Sequence, residues 1–179
     1  MSAPALEARP IASDHYRAVM RHLPTGVAAI CSTNPVTGAR NGMIVGTFAS
    51  LSMEPALVTL SVTHTSSSWP QIAAADRFSV SLLAEDQQQV CRALSAKGPD
   101  KLGTVNWSES LWGTPHIHGS LAWFDCRVEQ QIVAGDHLIV IASVLEMTPG
   151  EGSPLIFHGG RFGGFAEPGA TPASSIKGD

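Results

Sequence analysis

Residues 120–147 read SLAWFDCRVEQQIVAGDHLIVIASVLEM. Two long runs rich in β-branched and aromatic residues flank the two-residue link Gly135-Asp136, which is the pattern of a β-hairpin. Working outward, RFSVSLLA at 77–84 alternates as a strand, and TGVAAICST at 25–33 reads as another. Residues 41–62, NGMIVGTFASLSMEPALVTLSV, predict two more strands, near 42–51 and 56–63, separated by SMEP. PLIFHGGRFGGF at 154–165 reads as a short strand with a glycine-rich turn.

Helical patterns are few and short. SDHYRAVMRHLPTG at 13–26 offers Ser13 or Asp14 as N-cap, then Tyr16, Val19, Met20 and Leu23 at helical spacing, with Pro24 as terminator. HTSSSWPQIAAAD at 64–76 is a polar cluster leading into a short helix, with Pro70 suited to its first turn. EDQQQVCRALS at 85–95 opens with acids and sets Val90 and Leu94 on one face. Residues 96–119 read as a long Gly-, Trp-, His- and Pro-rich loop of the kind that is usually functional. About seven strands that mostly follow one another directly disfavour a parallel βαβ sheet. The expected fold is mainly β, a small antiparallel barrel with flanking short helices. It occupies one domain over 13–166, between a loose arm at 1–12 and a disordered tail at 167–179.

Composition narrows the function. A net charge of −4 leaves no electrostatic footprint for nucleic acid or an anionic membrane. No apolar run approaches the roughly 20 residues that span a bilayer. The start MSAPALEARPIASDHY lacks the basic and apolar blocks of a secretory signal, so a cytoplasmic location is expected. A charged fraction of only 15% suits a surface partly covered by a second subunit. Cys31, Cys91 and Cys126 are odd in number and widely spaced, which reads as three small buried hydrophobes.

Four stretches could carry chemistry. Gly46, between Val45 and Thr47 and followed by Ala49 and Ser50, spoils a strand unless something approaches its backbone closely. That visitor could be a flat heteroaromatic ring or simply a crossing strand. Thr65, Ser66, Ser67 and Ser68 precede a helix, where hydroxyls and free amides make either an anion site without any lysine or an ordinary cap. Asp136 and His137 shape a turn or place an imidazole. His158, Arg161 and Phe162 surround glycines, where arginine could pair with phosphate and the ring could cover a ligand. A plain glycine-rich hairpin explains that last group equally well. There is no GxGxxG, no P-loop and no GxSxG, and the HIH at 116–118 lacks a third metal ligand.

Four segments in order carry a resemblance: YRAVMRHLPTGV at 16–27, GMIVGTFASLSMEPA at 42–56, Gly135-Asp136-His137, and PLIFHGGRF at 154–162. Together they resemble the short-chain flavin reductases, the small components of two-component flavin monooxygenases. The resemblance implies an FMN-binding split β-barrel, Greek-key and antiparallel, usually a homodimer. It further implies that NADH or NADPH reduces FMN or FAD and that the reduced flavin passes to a separate oxygenase component. By position, the ring and ribityl chain would lie along Ile44, Val45, Gly46, Thr47 and Phe48, with Ser50 and Leu51. The phosphate would meet Thr65, Ser66 and Ser67, with Arg92, Ala93 and Leu94 near the flavin tail. His137 and the turn bearing His158, Arg161 and Phe162 match positions near the nicotinamide, His137 in a positioning or polarising role. Ile44 stands where the family usually has threonine, and Gly46 where asparagine or serine is common, so main-chain contacts must carry more of the binding. Two other functions stay open on the residues alone: a split-barrel oxidase or monooxygenase that retains its flavin, and a non-catalytic flavin-binding protein.

Overall fold

The computed structural model describes residues 9–165 apart from 97 and 99. Of the expected arm only 9–12 fall within that range, and the expected tail lies outside it. The chain runs α1 (Ser13–Met20), β1 (Thr25–Gly26), β2 (Ala28–Thr33), β3 (Arg40–Val45), β4 (Ala49–Met53), β5 (Ala56–Thr63), α2 (Trp69–Ala73) and β6 (Arg77–Leu82). It continues through α3 (Gln88–Ser95), β7 (Trp107–Glu109), β8 (Pro115–Ile117), β9 (Ala122–Ala134), β10 (His137–Pro149), β11 (Ile156–His158) and β12 (Arg161–Gly163). Among the described residues no helix is long and apolar enough to cross a membrane.

Seven strands form one antiparallel sheet in the order β3-β2-β6-β9-β10-β5-β4. Its two edge strands, β3 and β4, are consecutive in the chain and joined by Gly46, Thr47 and Phe48 alone. Laid flat, seven strands would hold their edges about 29 Å apart. The link from residue 45 to residue 49 reaches at most about 14 Å. The sheet must therefore curl until its edges meet, which makes a barrel with a split between β3 and β4. The Thr47 hydroxyl clips that seam, donating to the Ser61 carbonyl at 2.9 Å and accepting from the Ser61 amide at 3.0 Å. The single strand expected over 42–51 is thus two strands, broken where the chain crosses from one sheet edge to the other.

The barrel interior holds Ile30, Leu60, Val62, Phe78, Val80 and Val140, closed by Trp69 and Ile72 of α2. A second core lies outside β2, where Ala29 and Cys31 meet Val90, Cys91 and Leu94 of α3. Because β2 is covered on both faces, it reads as a continuous apolar run of small residues and does not alternate. Gly42 marks the fit of α3 on β3, since a Cβ there would lie 2.6 Å from Leu94 Cδ2. Strands β1, β11 and β12 form a separate small sheet, with Thr25 opposite Phe157.

Three local expectations change. Ala12 occupies the N-cap position of α1, and neither Ser13 nor Asp14 caps it. The long loop of 96–119 contains the β7–β8 hairpin. The strand count rises from about seven to twelve because short pairs outside the barrel carry too few residues to show a period.

Candidate functional site

β3 is an edge of the barrel sheet, so one row of its peptide groups lacks a strand partner. At its downstream end an apolar pocket of about 250 Å³ is lined by Thr25, Ile44, Val45, Gly46, Phe157 and Phe162. Phe157 and Phe162 pair across the β11–β12 hairpin with ring centroids 5.2 Å apart. Gly46 serves two ends here. A Cβ at 46 would sit 2.7 Å from Thr25 Oγ1, so the crossing strand β1 accounts for the glycine. The same lack of a side chain keeps the pocket open.

The other residues of this stretch divide. Thr47 spends its hydroxyl on the seam. Phe48 turns inward, half-buried and tilted against Phe124 at 5.3 Å. Ser50 lines an opening at the barrel mouth with Phe48, Met53 and Met147. A register shift between Ser50 and Ser52 leaves Leu51 without a cross-strand partner, half exposed.

At the upstream end of β3 lies a polar cleft of about 700 Å³. Ser67, Ser68, Arg40, Asn41, Gln71 and Lys101 line it. Within the serine run the labour is split. Ser68 holds the N-cap position of α2 without a side-chain cap bond; Ser66 Oγ, two residues earlier, accepts from the Trp69 amide at 3.2 Å, while Thr65 bonds Thr63. Ser67 lines the cleft, and Ser68 Oγ accepts from Lys101 Nζ at 3.0 Å. Helix α2 has five residues, too few turns to supply much dipole field. The cations Lys101 and Arg40 take that part, and the sequence pattern does not point to them. Of the α3 residues, Arg92 is exposed, Ala93 half-buried, and Leu94 buried against Gly42.

His137 begins β10 opposite Thr63 and Ala134, with its Nδ1 2.7 Å from Asp136 Oδ1. That bond from His137 is the main cause holding the Asp136 carboxyl below the usual range. The imidazole is 38% exposed, and its Nε2 has no hydrogen-bond partner among the described residues. His158 and Arg161 pair across β11–β12 and are both exposed. The hairpin is tied to the end of α1, where Arg21 Nη2 donates to the Gly159 carbonyl at 3.2 Å. Among the described residues no hydrogen bond or ion pair joins His137 to this hairpin. The chain thus gathers Ile44, Val45, Gly46 and Phe162 at one pocket and Ser67 at the cleft, while His137 stands apart.

Two other chemistries lose support. Cys31 and Cys126 have thiols pushed up to about 12, in both cases chiefly by burial, and burial also raises Cys91. Such thiols are poor nucleophiles. Among the described residues no cluster of three His, Cys, Asp or Glu side chains could hold a metal.

The flavin reductase like domain family matches residues 20–166, which takes in the pocket and the cleft. This chain belongs to that family. A flavin reductase from Pseudomonas putida is 41% identical over 152 residues, 84% of this chain and 89% of that protein. The reductase subunit HsaB of a flavin-dependent monooxygenase from Rhodococcus jostii is 35% identical over 170 residues, 94% of this chain and 86% of its own. Among solved structures, the Streptomyces globisporus NADH:FAD oxidoreductase SgcE6, in complex with NAD and FAD fragments, aligns with a TM-score of 0.82. It is 29% identical, and the alignment covers 93% of this chain and 100% of that one. The antiparallel split barrel expected from the motifs is the fold that these flavin reductases share.

Proposed function

We propose that this chain is an NADH-dependent flavin reductase that reduces FMN or FAD and releases it to a separate oxygenase component. The observation that carries this is the run of open sheet edge along β3, ending in an apolar pocket at one end and, at the other, a polar cleft lined by Lys101, Arg40 and Asp100. From residue 42 to residue 46 that edge is about 13 Å long by strand rise, which suits a ligand with a flat apolar head and an anionic tail. When bound, the flavin supplies the hydride-accepting chemistry.

The protein's part is positioning and polarisation. Peptide groups along Ile44, Val45 and Gly46 would meet the ring edge, where fixed dipoles favour the charge that develops on reduction. Phe162 supplies an apolar wall. Ser67 and Lys101 would hold the phosphate, with Thr65, Ser66 and the Arg92–Leu94 segment as its surroundings. Asp136 pins His137 by Nδ1, so Nε2 is left to orient the nicotinamide, and His158 and Arg161 would approach it from the separate β11–β12 hairpin. No general base is required for this step, and none is assigned.

The test is loss of NADH absorbance with added riboflavin, FMN or FAD and with NADPH as alternative donor. No turnover with any flavin would sink the proposal. His137→Ala should lower kcat/KM for NADH about tenfold, the worth of one polar contact, with flavin Kd unmoved. An unchanged NADH profile would remove His137 from the nicotinamide side.

We also propose a homodimer. Helix α1 buries none of its residues, and Tyr16, Val19 and Leu23 are 56%, 54% and 56% exposed. An amphipathic helix with a bare apolar face is expected to bury it elsewhere. Light scattering should report twice the 18.8 kDa chain mass. Val19→Asp should shift it toward the single-chain value, and a wild-type mass of one chain would refute the dimer. A cytoplasmic location fits three buried, unpaired cysteines.

A further inference from the structure

The β11–β12 hairpin is fastened unequally. Its base is firm: the Leu155 amide donates to the Leu83 carbonyl and the Glu85 amide to the Ser153 carbonyl, both at 2.9 Å, and Leu155 is buried. Above the base, β1 adds only the pairs Gly26–Ile156 and Thr25–Phe157. The turn at Gly159 and Gly160 has φ of +60° and +85°, the left-handed pair a tight hairpin link requires, and brings no side chain to hold it down. Arg21, just past α1, does that from outside. Its carbonyl accepts from the Gly159 amide at 3.1 Å, and its Nη2 donates to the Gly159 carbonyl at 3.2 Å. Among the described residues Arg21 makes no ion pair. His158 and Arg161 beside the turn carry no negative charge, and Glu85 packs at Gly164, at the opposite end of the hairpin. The tie is a hydrogen-bonded one.

The hairpin carries one wall of the apolar pocket, through Phe157 and Phe162. These two are cross-strand partners one step from the turn, where His158 faces Arg161. A turn that lifts therefore takes both rings with it. The clasp on the hairpin is short and stiff: residue 21 meets the turn, residues 25 and 26 meet the strand, and Pro24 lies between. We infer that Arg21 is a positioning residue for the flavin, latching the β11–β12 turn so that Phe157 and Phe162 stay closed on the ring. This rests on the flavin site proposed above. Arg21 is exposed, so the latch has the modest net strength of a bond made in competition with water. That suits a pocket whose reduced flavin must leave.

Arg21→Met keeps the stem and loses the donor, whereas Arg21→Lys keeps a donor. Limited trypsin cleavage after Arg161, read by mass spectrometry, tests the latch without any flavin. It should be about fivefold faster in Arg21→Met, the worth of one such bond, with the urea midpoint unmoved and the rate largely restored in Arg21→Lys. Fluorescence titration then reads the pocket. Riboflavin and FMN should both bind about fivefold more weakly to Arg21→Met, and KM for the flavin should rise by more than kcat falls. Unchanged cleavage at Arg161, unchanged flavin binding, or a fall in the urea midpoint that accounts for both overturns the inference, while wild-type NADH turnover with FMN leaves the reductase function standing. A loss for FMN with riboflavin unaffected would make Arg21 a phosphate contact and overturn it too. If the wild type binds no flavin and turns none over, both readings fall.

Discussion

Gly46→Val is expected to cost about 2 kcal/mol of stability and to weaken flavin binding by at least about tenfold. The reason is steric and local. A Cβ at 46 would lie 2.7 Å from Thr25 Oγ1 and 3.3 Å from Thr25 Cβ. Threonine has no flexible arm to swing aside, and Thr25 is held opposite Phe157 in the small sheet. Either β1 moves, taking the β11–β12 hairpin with it, or the new methyl groups fill the pocket between Ile44 and Phe162. Both routes damage the seat of the ring. Gly26→Ala is the control, because nothing lies within 4 Å of a Cβ at that position. It should stay within about 0.5 kcal/mol of wild type. Urea unfolding and flavin titration of the two variants decide the matter, and a Gly46→Val protein with wild-type values in both would show that β1 yields freely.

Asp125→Ala should be the most destabilising of these changes, at about 3 kcal/mol. Asp125 is 1% exposed on β9 and sits beneath the β7–β8 hairpin. Ser110 Oγ donates to its Oδ1 at 2.8 Å, and Thr114 Oγ1 donates to the same oxygen. His116 Nε2, otherwise without a partner, lies 3.1 Å from Oδ2. Removing the carboxylate would leave the buried His116 Nε2 without a partner and the Ser110 and Thr114 hydroxyls without their acceptor, with only each other to bond. Burial by itself would raise the Asp125 pKa, but the contact with His116 and the bonds from Thr114 and Ser110 outweigh it and hold the group below its ordinary 3.8. The sign of the pH effect follows. A depressed carboxylate contributes its full stability above the unfolded value, and loses it as pH falls through the folded value. The urea midpoint of the wild type should therefore be level at neutral pH and drop below about pH 4. Asp125→Ala should lack that share of the acid limb. An unaltered acid limb in the variant would assign acid sensitivity to other groups.

Much of the local structure was legible. The β9–β10 hairpin was visible in its two apolar runs and the Gly135-Asp136 link, because strand propensity and turn chemistry are properties of neighbours. Val90 and Leu94 were correctly set on the buried face of α3, since helical spacing alone decides which side chains share a face. The serine run was partly legible: hydroxyls ahead of α2 could be expected, but which serine bonds the helix and which lines the cleft depended on how the turn closed.

What the sequence determined by itself was therefore the run of the main strands and the three short helices, the antiparallel character, and the motifs of a flavin reductase. Only tertiary structure decided that 42–51 breaks at the barrel seam, that Gly46 answers to Thr25, and that Lys101 reaches Gly42 and Ser68 across 59 and 33 positions of chain. The physical reason is range. Propensity and periodicity act over a few residues, whereas the closure that joins β3 to β4, and with it the pocket and the cleft, exists only once seven strands have curled together.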